Sequence, residues 1–373
     1  MRPQDPKVST AKPARSSISL QKATFGRTAH YPQRSLHHPI QTTVLLGDPR
    51  LNDPIKKEGK FNTEDFETVT KLKKALKGID NYQFQYIDNH KTLLQQLMLS
   101  CPEFVFNLCD EGFNNQAQLE LHIPALLELL NIPYTGSGPA CLAQCYNKSL
   151  VNAMAKNLDI AVPEEIYKEA ETQKTIFPTL FPVLVKPNLG DGSLGITQQA
   201  VIQNSIELNH YLSHLPPVLA KTDLLIQEYL AGAEYSVGII GNKGSLEILP
   251  ILKVNYSHLP EGLPHILCYE SKWLPDSPYW DKISYEEAAL SDKMARKLIE
   301  ASIKLFEFLD CRDYARFDFR ADVHGTIKLL EVNPNPGWCW DGKFNLMAKW
   351  ADLNYKNLLE KILDTAQKRY QLR

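Results

Sequence analysis

Two short runs in the last sixth of the chain concentrate its chemistry: Arg316-Phe317-Asp318-Phe319-Arg320 and Leu330-Glu331-Val332-Asn333-Pro334-Asn335-Pro336-Gly337. Between them stands Val323-His324-Gly325-Thr326. A two-residue His324-Gly325 turn would close the runs into a hairpin, with glycine supplying the positive φ. On that register Asp318 lies opposite Glu331, and Arg316 opposite Asn333. Side chains alternate along a strand, so these four share one face, and Phe317, Phe319, Leu330 and Val332 share the other. Carboxylates facing each other across a ladder repel. A divalent cation compensates them. Oxygen donors from Asp, Glu and Asn suit Mg²⁺, which usually also binds substrate phosphates. The alternative is a solvated face in which Arg316 neutralises an acid. The rigid Asn-Pro-Asn-Pro-Gly turn, set where the polar face ends, favours the metal.

Two further runs gain meaning beside this one. Val183-Leu184-Val185-Lys186 delivers a lysine next to Gly190-Asp191-Gly192-Ser193-Leu194-Gly195. Backbone N–H groups of such a loop can cradle phosphate oxygens. It is not a Walker A loop, and a glycine-rich hairpin turn is the equal alternative. Gln227-Glu228-Tyr229-Leu230, with Glu234 beyond Gly232, could present backbone groups to an adenine edge, or be an ordinary edge strand. Cys109, beside Asp110-Glu111-Gly112, is expected to be a buried structural thiol. His122 and His324 are expected to be helix and turn residues. Trp338 and Trp340 suit either the core or the wall of a substrate pocket.

The elements that must position these residues alternate in type. Strands are expected at Thr42–Leu46, Tyr82–Ile87, Phe104–Leu108, Phe181–Lys186, Leu224–Leu230, Glu234–Ile240, Leu246–Val254, Tyr314–Arg320 and Ile327–Val332. Helices are expected at Phe66–Leu76, Leu119–Leu130 (interrupted by Pro124), Lys148–Leu158, Tyr285–Leu309 and Tyr355–Arg373. Alternation of this kind predicts an α/β protein with a parallel sheet in its first part. The 373 residues suit two to three domains, with 43% hydrophobic and 23% charged residues, ordinary for a globular chain. No run approaches the roughly 20 apolar residues of a membrane span. Seven cysteines without a CxxC pair point to free thiols in a reducing, cytoplasmic setting. Residues 1–40 hold seven basic residues and one acid, which leaves the body at −8. The proline-rich start is expected to be a disordered or loosely docked tail. The acidic body argues against a nucleic-acid partner.

Taken in order, Asn147-Lys148, Val185-Lys186-Pro187, Gly192-Ser193-Leu194-Gly195, Gln227-Glu228-Tyr229, Glu234, Lys272, Arg316-Phe317-Asp318, Glu331-Val332-Asn333 and Pro336-Gly337 resemble the ATP-grasp enzymes. Within that superfamily the chain is most similar to the D-alanine–D-alanine ligases, helped by Asn131-Ile132-Pro133-Tyr134-Thr135-Gly136-Ser137. The resemblance runs from about residue 101 to 350. It implies an ATP-grasp fold: after a tail at 1–40, an N-terminal parallel-sheet domain at 41–145, a small lid at 146–230 and a C-terminal mixed α+β subdomain at 231–373.

The resemblance also implies roles. Lys148 and Lys186 would contact ATP phosphates, with Gly192, Ser193 and their loop covering them. The backbone of Gln227, Glu228, Tyr229 and Leu230 would hold adenine, and Glu234 the ribose. Lys272 would reach the γ-phosphate from a mobile loop. Asp318, Glu331 and Asn333 would hold two Mg²⁺, for which Mn²⁺ is a substitute. Arg316 and the Gly337 N–H would stabilise an oxyanion. The implied activity is carboxylate–amine ligation of amino acids or short peptides through an acyl phosphate, without membrane or nucleic-acid partners and with a homodimer as candidate assembly. A phosphotransferase and a non-catalytic nucleotide-binding protein on the same fold are the alternatives. Three departures from the ligase pattern point to other substrates than D-alanine. Leu46-Gly47-Asp48-Pro49-Arg50 lacks the Glu that holds the first amino group, and Gly192 and Trp273 stand where its Ser and Tyr partners belong. Gly342 stands near the hydroxyl residue that binds the second carboxylate, leaving Lys343 as a candidate for that carboxylate.

Overall fold

The computed structural model describes residues 38–172, 177–190 and 192–372, so the expected tail lies almost wholly outside the described residues. Three sheets organise the rest. The first is parallel, in the order β2-β1-β3, from β1 (Ile40–Leu45), β2 (Tyr82–Ile87) and β3 (Phe104–Asn107). The helix Thr63–Leu76 crosses between β1 and β2; Asn62 and Asp65 form a capping box at its start, and Leu72 and Leu76 are buried. The second sheet is antiparallel, in the order β4-β7-β5-β6, from β4 (Glu165–Lys168), β5 (Val183–Pro187), β6 (Val201–Ile202) and β7 (Leu224–Glu228).

The third sheet holds β8 (Glu234–Asn242), β9 (Ser245–Ile248), β10 (Leu252–Asn255), β11 (Ser284–Glu287), β12 (Asp313–Ala321) and β13 (Ile327–Asn333). Its order is β11-β10-β8-β12-β13, with β9 on the free stretch of β8. The helix Lys148–Asn157 precedes the second sheet in the chain, yet Val151 and Ala155 pack in the core of the third, with Phe317 and Leu329. The C-terminal helix Tyr355–Tyr370 joins the first sheet to the third. Its Leu358, Leu359 and Ile362 share one apolar cluster with Ile40 and Val44 of β1 and Ile240 of β8. Tyr82 donates a 2.7 Å hydrogen bond to Asp364, and Arg369 pairs with Asp313 while donating to the Tyr134 carbonyl at 2.8 Å. Among the described residues no helix is long and apolar enough to cross a membrane.

Several expected elements are redrawn for local reasons. The helix around Pro124 runs from His122 to Leu129, which puts proline in the first turn, where a helix has no use for its missing N–H. The single strand expected at Leu246–Val254 is two, β9 and β10, interrupted around Pro250, which cannot donate to a ladder. The helix expected from Tyr285 starts at Asp292, because Ser291 caps it by accepting from Met294 N–H, and Tyr285 belongs to β11.

The β12–β13 hairpin corrects the expected turn. Its loop is three residues, Val323-His324-Gly325, closed by Asp322 N–H donating to the Thr326 carbonyl at 3.0 Å, with Gly325 at φ 80°. Phe319 therefore pairs with Leu329 rather than Leu330. A β-bulge then takes up Leu330, and Asp318 faces Glu331 and Arg316 faces Asn333. Leu329 is the core residue, whereas Leu330 is half-buried and turns to the pocket side.

Candidate active site

A cavity of about 260 Å³ opens between the second and third sheets. Gln227, Glu228, Tyr229, Leu230 and Glu234 line it from the end of β7, the short connection after it and the start of β8, and Lys186 of β5 and Lys148 enter from the second sheet's side. Arg316, Asp318 and Glu331 enter from the β12–β13 hairpin. Ser193 and the exposed Lys272 lie on the rim, and Ser193 donates to the Leu267 carbonyl at 2.8 Å. Lys272 stands on a short helix, Glu270–Trp273. Asn333 lines a small recess next door, which shares Lys148 and Glu331 with the first cavity. That recess shares Tyr146 and Gly190 with a larger cavity of about 520 Å³, mostly apolar, among Leu51, Ile55, Leu194 and Leu219. The three spaces form a chain with the polar hairpin face in the middle. Gly192 and Gly337 stand outside the first cavity's lining.

The charges are sorted by side. Lys148 and Lys186 are both buried, and the Lys148 ammonium donates to the Gly190 carbonyl. Burial, then the Lys148 charge, lowers Lys186 to about 8. Two buried ammoniums side by side are a costly arrangement that a polyanion relieves. Opposite them, Asp318 accepts from Ser236 at 2.6 Å, from Arg316 Nη2 at 2.9 Å and from Asn333 Nδ2 at 3.2 Å. Burial alone would raise the Asp318 pKa, but the Arg316 and Lys343 charges hold it well below the usual carboxylate range. The protein thus offsets part of the facing-carboxylate repulsion itself, and Arg316 does neutralise an acid.

The donor set fits Mg²⁺. Among the described residues no group of three or more His, Cys, Asp or Glu is set to hold a metal. Two carboxylates and an amide instead leave most of the shell to phosphate and water, which Mg²⁺ prefers. Asn333 directs its amide Nδ2 at both acids, 3.2 Å from Asp318 and 3.5 Å from Glu331, and turning the carboxamide over would present its oxygen.

Glu234 is nearly fully buried and heavily engaged. Tyr256 donates to its Oε2 at 2.6 Å, Arg320 lies 3.4 Å from the same oxygen, and Lys343 is 3.7 Å from Oε1. Lys343 was expected to face a substrate carboxylate. It lines the 260 Å³ cavity, at the first residue of the helix Lys343–Trp350. Arg320 shares the Arg316–Asp318 face by simple alternation, which the sequence already implied. Of the adenine candidates, Glu228 and Tyr229 spend their N–H groups on the Glu164 and Pro182 carbonyls.

Around Gly337 the structure adds residues that the sequence reading passed over. The Asp110 carboxylate lies 3.5 Å from where a Gly337 Cβ would stand and accepts from Trp338 Nε1 at 3.0 Å. Glu111 fills the space beside Gly47, where a Cβ would come within 2.6 Å of its carboxylate. Lys56 lies 3.6 Å from Glu111 Oε1, whereas Oε2 is buried without a partner among the described residues. Burial and the Glu111 charge push Asp110 well above the usual carboxylate range. A side chain at position 192 would meet Ile55, whose Cγ2 would lie 2.8 Å from an added Cβ. Trp338 is anchored, also donating to the Leu108 carbonyl at 2.8 Å, and Cys109 is a buried thiol as expected.

Residues 156–364 match the family model for the D-ala D-ala ligase C-terminus. An uncharacterised protein of Sinorhizobium fredii, y4sG, is 31% identical over 71% of this chain and 75% of its own. The D-alanine–D-alanine ligase of Aquifex aeolicus is 29% identical over 80% of this chain and 94% of its own. In fold, the crystal structure of a Bacillus anthracis D-alanine–D-alanine ligase complexed with ATP superposes with a TM-score of 0.65 at 20% identity, covering 89% of this chain and 99% of that one. With the family model spanning more than half its length, the chain belongs to the D-alanine–D-alanine ligase family of ATP-grasp ligases.

Proposed function

We propose that this protein joins the carboxylate of an amino acid or short peptide to an amine through an acyl phosphate, using ATP and two Mg²⁺. The observation that carries the reading is one cavity with two buried lysines on one side and Asp318, Glu331 and Arg316 on the other. In this reading residues 41–145, 146–230 and 231–373 are the N-terminal domain, lid and C-terminal subdomain.

Lys148 and Lys186 hold phosphate oxygens, and Lys272 and the Ser193 loop close over them. The Leu230 N–H and a neighbouring carbonyl read adenine, since the N–H groups of Glu228 and Tyr229 are already spent. Glu234 takes the ribose hydroxyls. Asp318, Glu331 and Asn333 hold Mg²⁺, which supplies charge to offset the transferring phosphoryl group. Arg316 and the Gly337 N–H then face the carbonyl oxygen on which charge develops. Catalysis is mostly positioning and charge stabilisation.

The substrates differ from those of a D-alanine–D-alanine ligase. The 520 Å³ cavity reached through Tyr146 and Gly190 is far roomier than an alanine side chain requires. Its walls mix aliphatic side chains such as Leu51, Ile55, Leu194 and Leu219 with the amides of Asn52, Asn114 and Gln116, and Ile55 occupies the space that a side chain at position 192 would need. Asp110, beside Gly337, and the adjoining Glu111, beside Gly47, suit a substrate ammonium, which would relieve their mutual repulsion. The experiment is ADP and phosphate release with D-alanine alone against a panel of amino acids and amines, with products identified by mass spectrometry. An amide product from a bulkier pair is expected. Efficient D-alanyl-D-alanine formation, better than any other pair, would overturn the substrate reading. ADP formation without an amide product would turn it to phosphoryl transfer alone.

A further inference from the structure

Lys343 has no place in the roles above, yet its surroundings are specific. Its side chain is only 13% exposed and lies 3.7 Å from Glu234 Oε1. The ring of Tyr285 covers it, with the ammonium 5.8 Å from the centroid. Its charge helps to hold Asp318 ionised, yet neither neighbouring acid depends on it alone. Glu234 already has Arg320 and the Tyr256 hydroxyl, and Asp318 already has Arg316 in a two-pronged ion pair.

The register fixes where this extra cation sits. Across β8 and β12, Glu234 pairs with Arg320 and Ser236 with Asp318. The two acids are therefore two residues apart along one ladder, about 7 Å at a strand's rise. Lys343 borders the same cavity as both acids. On the proposed function, on which this inference rests, Glu234 marks the ribose and Asp318 the metal-bound phosphates. What lies between a ribose and those phosphates is the 5′-oxygen and the α-phosphate.

We propose that Lys343 is a nucleotide-binding residue that grips the α-phosphate, the fourth lysine of a phosphate tract with Lys148, Lys186 and Lys272. A buried ammonium with three donors suits a non-bridging phosphate oxygen, and such charge-assisted bonds are the strong ones. The site then recognises the first phosphate separately from the metal-held outer ones.

The test is binding of adenosine, AMP, ADP and ATP to the full chain by calorimetry, with and without Mg²⁺. Lys343→Met should weaken AMP about 10- to 100-fold, ADP and ATP by a similar factor, and adenosine hardly at all. Lys343→Arg should recover part of the loss. If adenosine and AMP weaken together, Lys343 serves only the Glu234 end, and the proposal is wrong. If AMP affinity is unchanged, it is also wrong. A wild-type protein that binds neither ATP nor adenosine would instead remove the nucleotide reading, and this proposal with it. Should the variants not fold, acetic anhydride labelling of the wild-type lysines followed by mass spectrometry gives the same answer. AMP should protect Lys343 and adenosine should not; equal labelling in both would sink the assignment.

Discussion

At about 8, Lys186 is half-protonated in the free protein near that pH. Bound phosphate would raise its pKa, so nucleotide binding at pH 8 should take up protons. Calorimetry in buffers of different ionisation enthalpy should show this uptake at pH 8 and little of it at pH 6.5, where the amine is already charged. For stability the sign is opposite to that of a paired lysine. The folded value lies below the ordinary 10.5, so between about 8 and 10.5 the unfolded chain holds more protons and stability rises with pH. Lys186→Met should accordingly melt no lower than wild type at pH 7 while losing ATP binding. Glu331 offers a complementary case. Glu331→Ala removes one of two facing carboxylates and should leave the melting temperature nearly unchanged, while kcat falls by at least about 100-fold. Near-normal turnover in that folded variant would remove the metal assignment. Among residues, those on the β12–β13 face were legible because alternation on a strand is a strict rule. Asp110, Glu111 and Ile55 were not, because their partners, Gly337, Gly47 and Gly192, lie on other elements far along the chain.

The β12–β13 hairpin shows how an element can be read correctly at one end and wrongly in the middle. A loop one residue longer than expected shifts the ladder, and the bulge at Leu330 shifts it back before the acids. The two effects cancel where the chemistry is, so the facing of Asp318 and Glu331 was legible while the core residue was not. The two leucines test this. Leu329→Ala, at 0% exposure, should cost about 2–5 kcal/mol of stability in chemical denaturation. Leu330→Ala should cost much less stability and instead weaken adenine nucleotides about 5- to 10-fold, as removal of part of an apolar wall would. The lid loop gives a second test. Gly192 sits at φ 64°, with Ile55 where a side chain would go. Gly192→Val should raise the KM for ATP about tenfold or more, from backbone strain and the clash together. Pairing it with Ile55→Ala should recover the steric part only.

Three sheets around one chain of cavities imply that nucleotide ties the second sheet to the third. ATP with Mg²⁺ at 100 times its dissociation constant should add about 2.7 kcal/mol to the unfolding free energy. Protease cutting in the Gly192–Gly195 loop and around Lys272 should fall under the same conditions, and unchanged cutting at saturation would show that these segments are not the lid. The first and third sheets need no ligand to join them. This was not legible in the sequence: the last helix reads as an ordinary amphipathic segment, and nothing local says that its apolar stripe is shared between β1 and β8. That sharing bears on how the protein is made. Strands β1–β3 leave the ribosome well before residues 355–370, which supply part of the cover for their apolar side. Early domains usually fold as they leave the ribosome. Here the first sheet must wait, partly uncovered, until residues 355–370 have been made. A holding chaperone would find its grip on β1–β3, and a premature stop before residue 355 would damage that first sheet as much as the segment it removes.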